Sequence, residues 1–154
     1  MKITRMFVMG ISLGIIAIFF MGSAQAGCKT VNGHISSEVF TDGCPSPLGL
    51  CTFGRFIGGI QGDFIFVAEA IIPNPESAEV AFTTGSIDVE TKKGNLTLKD
   101  ASAVSFGADG LFGSVQTVVG GTGDFTDATG RIRAYGVFLG GCVNCDYRGE
   151  ICTP

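Results

Sequence analysis

The chain contains no tryptophan, a single histidine (His34) and two tyrosines among its 154 residues. With one imidazole, a multi-histidine metal centre or a histidine relay has nothing to be built from. Basic residues are also sparse, ten against 14 acids. No basic stripe exists to neutralise phosphates, so no nucleic-acid partner is expected. Helical patterning is missing after the first 26 residues. No window carries apolar residues at i, i+3, i+4 and i+7 between capping residues, and glycine interrupts nearly every candidate. Cysteine is absent from the 90 residues between Cys51 and Cys142.

What is present begins with a leader. Lys2 and Arg5 precede an apolar run from Met6 to Met21, followed by Gly22-Ser23-Ala24-Gln25-Ala26. This is the pattern of a secretory signal peptide, residues 1–26, cut after Ala26, and it predicts a secreted or periplasmic protein. The run is short for a membrane-spanning helix, so no membrane span is expected after cleavage. Gln25, three places before Cys28, departs from the lipidation pattern. The remaining 128 residues, 27–154, make one domain with eight basic and 14 acidic residues, a net charge of −6.

All six cysteines (Cys28, Cys44, Cys51, Cys142, Cys145 and Cys152) lie in the exported part, three near each end. An even count in an exported chain of this size predicts disulfides. Pairing across the clusters would staple the chain ends together, whereas local pairs Cys44–Cys51 and Cys145–Cys152 fit the spacing equally well. The connectivity stays open at this stage. Cys142-Val143-Asn144-Cys145 has redox or zinc spacing, but its flanks are glycines and a strand-like run, and no second pair has the matching interval.

Strand signals recur along the chain. Phe64, Phe66 and Ala68 share one face; Val80, Phe82 and Thr84 share another. The apolar set then moves to Ile87 and Val89, which predicts a bulge at Gly85. Leu96 and Leu98 alternate with polar residues, and so do Ile132, Ala134 and Phe138. Lys92-Lys93-Gly94-Asn95 and Gly107-Ala108-Asp109-Gly110 read as tight turns, and Pro73-Asn74-Pro75 reads as a longer loop. About eight strands joined by short connections predict an all-β fold, an eight-stranded antiparallel β-barrel stabilised by disulfides. Phe64, Phe66, Phe82, Leu96, Leu98, Ile132 and Phe138 form the expected barrel interior, which reads as apolar and largely aromatic.

The densest motif is Val118-Val119-Gly120-Gly121-Thr122-Gly123-Asp124-Phe125-Thr126-Asp127-Ala128-Thr129-Gly130. A dinucleotide fingerprint would need a third glycine where Thr126 stands and a helix where a strand follows. The calcium nonapeptide would need repetition. Asp124 and Asp127 read as turn residues, and no metal site is expected.

From Val119 to Gly130 the segment resembles the V-G-G-T-G-x-F-x-x-A-x-G signature of dirigent proteins and allene oxide cyclase-like barrels, including small exported bacterial members. The resemblance implies an eight-stranded antiparallel barrel, often trimeric, that works without metal or organic cofactor. It gives scaffold roles to Gly120, Gly121 and Gly123 (a tight path), Phe125 (a plug into the core), and Ala128 and Gly130 (close packing). The catalytic residues of plant members lie outside any matching motif here. Two functional readings therefore stand: a barrel that binds or shelters an apolar small molecule or serves as a scaffold, and a cofactor-free cyclase or isomerase acting on a reactive hydrophobic substrate. Ile65, Val67, Val137 and Leu139 fall on outer faces and would suit a homo-oligomer interface.

Overall fold

Period-two alternation of inward apolar and outward polar residues carries the chain through eight strands in the computed structural model, which describes residues 27–154. The leader expected over residues 1–26 and the side chain of Cys142 lie outside the described residues. The strands are β1 (Gly27–Phe40), β2 (Cys51–Gly58), β3 (Gly62–Asn74), β4 (Ser77–Thr91), β5 (Gly94–Ser105), β6 (Leu111–Gly121), β7 (Thr129–Leu139) and β8 (Cys142–Thr153). Each pairs antiparallel with its sequence neighbours, and β8 returns to β1, so the sheet closes into a barrel in the order β1 to β8. Closure gives every strand a neighbour on both sides. The β2–β3, β4–β5 and β6–β7 connections and both chain ends lie at one end of the barrel. The other four connections lie at the opposite end.

The end holding the termini is sealed. Tyr147 points inward from β8 and is 2% exposed. Its hydroxyl accepts a hydrogen bond from the Ile60 amide at 2.7 Å and donates to the Ile60 carbonyl at 3.3 Å, which pins the β2–β3 turn over the core. Phe56 packs edge-on against both Phe64 and Tyr147. Val89, Leu96, Leu98 and Ile132 are fully buried around this plug. Burial of each such side chain contributes about 1.5–3 kcal/mol.

The β6–β7 connection forms part of the seal. A single 3₁₀ turn, Gly123–Phe125, carries Phe125 against the core, and Ala128 is buried behind it. Gly123 has φ +60°, and a Cβ there would stand 2.3 Å from the Lys93 carbonyl oxygen. Gly121 crosses so close to β5 that a Cβ would stand 2.0 Å from the Asn95 oxygen. The turn's side-chain hydrogen bonds come from threonines, not from the two aspartates. Thr126 donates to the Gly123 carbonyl, and Thr122 accepts from the Asn95 amide. Asp127 takes a left-handed conformation, φ 55°.

Several expectations need correction. Phe82 does not face the interior: it is 48% exposed and pairs on the outer surface with Ile72, while Ala81 and Thr83 point inward. The inward parity of β4 runs unbroken through Gly85, and the register shift lies in β3, between Ala68 and Ala70. Gly85 instead makes room for an aromatic ring, since a Cβ there would meet Phe66 at 2.3 Å. The bulged Glu69 is turned outward, where it binds Lys99 at 2.6 Å. Pro73-Asn74-Pro75 is not a long loop. β3 continues to Asn74, whose side chain accepts from the Glu76 amide in a tight turn.

The cysteines combine both pairing modes. Cys28–Cys152 ties the first strand to the last across 124 residues of sequence, and Cys44–Cys51 clips the β1–β2 connection. Cys145 is not in a disulfide; it is a free thiol buried inside the barrel.

Candidate functional site

The barrel is not packed solid. Between its sealed end and the opposite mouth lies a cavity of about 110 Å³. Phe56, Phe64, Phe66, Phe112 and Phe138 supply aromatic wall, with Ile35, Ile87, Val104 and Val143 between them. Leu50, Ile71 and Phe106 form the rim, where Ile71 and Phe106 are solvent-exposed. The clipped β1–β2 connection is held beside this rim. Ser46 donates to the Ala68 carbonyl at 2.7 Å, and the Ala68 amide donates to Leu50.

One wall is polar. Residues two apart in a strand share a face, so the inward positions after Leu96 and Leu98 on β5 are Asp100 and Ser102. On β6, the positions before Val118 are Gln116 and Ser114. Cross-strand register sets Asp100 opposite both Gly85 and Gln116, and sets Ser102 opposite Thr83 and Ser114. All five polar residues are buried. Ser114 donates to the Asp100 carboxyl at 2.5 Å, and the Thr83 and Ser102 hydroxyls bond to each other. Burial pushes the Asp100 carboxyl above the usual carboxylate range, and hydrogen bonds from Ser114, Ser102 and Gln116 pull it part of the way back. Gln116 is 3% exposed, and its Oε1 has no hydrogen-bond partner.

Cys145 lines the same cavity. Burial, reinforced by the negative charges of Asp146 and Asp100, pushes its thiol up to about 12. A thiol held protonated is a poor nucleophile and a poor metal ligand. Its Cys-x-x-Cys segment lies within a strand, not at a helix N-terminus. No cluster of three metal-ligating side chains occurs among the described residues.

Of the interior residues expected from sequence, Phe64, Phe66 and Phe138 line the cavity; Leu96, Leu98 and Ile132 are buried below it. Phe82 lies outside. Gly120, Gly121, Gly123, Phe125, Ala128 and Gly130 are gathered at the sealed end, away from the cavity, and the loop they form borders a separate groove there. His34 and Asp146 pair on the outer surface at 3.1 Å, and Asp63 pairs with Arg55 at 2.7 Å. Tyr135, Arg131 and Arg133 are also outside, joined by Arg148. Ile65 and Leu139 are exposed, and Val67 and Val137 are half-buried.

The polar wall is not among the residues that the sequence alone singles out. Its signal was the strand parity itself: continuing inward from Leu98 by two lands on Asp100, and stepping back from Val118 by two lands on Gln116. No family model, curated protein or solved structure matches the chain. Among the described residues, no helix is long and apolar enough to cross a membrane.

Proposed function

We propose that this protein is an exported barrel that binds and shelters an apolar small molecule in its cavity, without a cofactor. The observation that carries this reading is an apolar, largely aromatic cavity with a few polar groups, most of them on one wall, the usual composition of a small-molecule site. A cavity of about 110 Å³ is of the same order as an engineered apolar cavity of about 150 Å³ that takes benzene. It would enclose a ring-sized body, with any longer substituent leaving past Ile71 and Phe106. Two disulfides accord with an oxidising compartment.

One observation favours the second reading, a cofactor-free cyclase or isomerase of the dirigent or allene oxide cyclase-like kind. Burial holds the Asp100 carboxyl toward its neutral form at the cavity wall, where it can donate a hydrogen bond or a proton to a bound substrate. The aromatic walls would restrict the substrate's conformers.

Titration with benzene, followed by amide and methyl NMR shifts, tests the site. Shifts confined to cavity-lining residues, and abolished in Ser37→Leu, which fills the cavity from β1, are the expected result. Saturable binding that Ser37→Leu leaves intact would place the ligand elsewhere.

A further inference from the structure

The unpartnered oxygen on Gln116 restricts what can fill the cavity. This side chain lines the cavity, is 3% exposed and leaves Oε1 without a donor. An acceptor buried in that way costs about 1–3 kcal/mol until a donor reaches it. None of the cavity hydroxyls bonds to it: Ser114 and Ser102 are engaged with Asp100, Thr83 with Ser102, and Ser37 and Thr52 do not reach it. A purely hydrocarbon ligand would leave the oxygen unmet.

Asp100 lies directly across the β5–β6 ladder from Gln116, at a spacing of about 5 Å between Cβ atoms for such pairs. Its carboxyl is already engaged by Ser114, Ser102 and the Gln116 amide. The group left open on this wall is an acceptor, Gln116 Oε1. A hydroxyl meets it by donating one hydrogen bond. A carboxylate cannot donate, and an ammonium would bring a charge. The rest of the lining is mostly phenylalanine, isoleucine and valine, with four hydroxyls from Ser37, Thr52, Thr83 and Ser102, a surface that solvates a charge poorly.

The geometry points to a neutral, hydroxyl-bearing ring compound, an alcohol or phenol of about six to ten non-hydrogen atoms, whose hydroxyl donates to Gln116 Oε1. This rests on the carrier reading above and adds the ligand class to it.

The test compares three probes of one shape: benzyl alcohol, ethylbenzene and benzylamine. Their dissociation constants are measured by calorimetry on the wild-type protein and on Gln116→Met, with folding of the variant checked by circular dichroism. The expected result is that benzyl alcohol binds wild type most tightly, and that Gln116→Met lowers the preference for alcohol over ethylbenzene by about tenfold. The wild-type protein also gives a readout independent of the variant: benzyl alcohol, but not ethylbenzene, should shift the Gln116 side-chain amide resonances. An equal preference in both proteins, or an unmoved Gln116 amide, would overturn the hydroxyl assignment and leave the carrier reading standing. Tightest binding by benzylamine would overturn the neutral-ligand class. If none of the three bound wild type at millimolar concentration, the carrier reading would fall, and this inference with it.

Discussion

Asp100 sits where an alternating strand would be expected to place a third inward leucine, and its chemistry sets the pH response of the fold. Its carboxyl is favoured in the neutral form by burial, so its folded pKa lies above its unfolded one. For a group raised in this way, the native state holds the proton more tightly than the unfolded state does. The stability it contributes is fully present below the unfolded carboxylate pKa, near 4, and is lost as pH rises through the folded value. Asp100→Asn keeps a polar side chain and removes the titration. Thermal melts from pH 4 to pH 8 should therefore show the variant's Tm gaining on that of wild type as pH rises. A difference that stays flat, or shrinks, would show that Asp100 is not held neutral by the fold. At this scale the sequence was partly legible. Leu96, Leu98 and Ile132 read correctly as interior because their alternation is clean. Asp100, Ser102, Ser114 and Gln116 do not stand out, because an apolar alternation carries no signal at a polar inward position. Phe82 failed for the mirror reason: its apolar side chain faces outward beside Ile72, while polar Thr83 turns in to meet Ser102.

The element with the most specific geometry is the β6–β7 connection. Its glycines answer to two different demands. Gly123 combines a left-handed backbone with backbone atoms where a side chain would go, whereas Gly113, near the start of β6, has nothing within 4 Å of its missing Cβ. Gly123→Ala should lower unfolding free energy by about 2 kcal/mol or more, from the left-handed penalty and the clash with Lys93. Gly113→Ala should stay within about 0.5 kcal/mol. Chemical denaturation of both variants decides the point, and equal losses would mean that the loop does not hold this path in solution. The bulge in β3 has a related origin. The extra residue, Glu69, is expelled toward Lys99 beside the narrow place where Gly85 admits the Phe66 ring. The sequence shows an irregularity but points to the glycine and not to the partner strand, because the apolar pattern on β4 is misleading around Phe82.

For the molecule as a whole, closure is the organising fact. β1 and β8 pair along nearly their full lengths, and Cys28 and Cys152 are direct partners in that ladder with Cα atoms 3.9 Å apart. A link across 124 residues removes much of the unfolded chain's freedom, about 5 kcal/mol in the loop-entropy model, against about 2.5 for the short Cys44–Cys51 clip. The barrel class and strand count were legible from turn spacing and alternation. The pairing of the cysteines was not, because connectivity depends on which strands become neighbours. With one end sealed by Tyr147, Ile60 and Phe125, the apolar cavity left inside opens past Ile71 and Phe106, so the architecture reads as a cup. Native mass spectrometry of the protein isolated from its own host tests that reading most directly, with protein loaded in vitro with benzyl alcohol as the control for ligand retention. The account predicts a species heavier than the oxidised chain by one small organic molecule, lost when Ser37→Leu fills the cavity. A bare polypeptide mass under conditions where the loaded control keeps its ligand would contradict it.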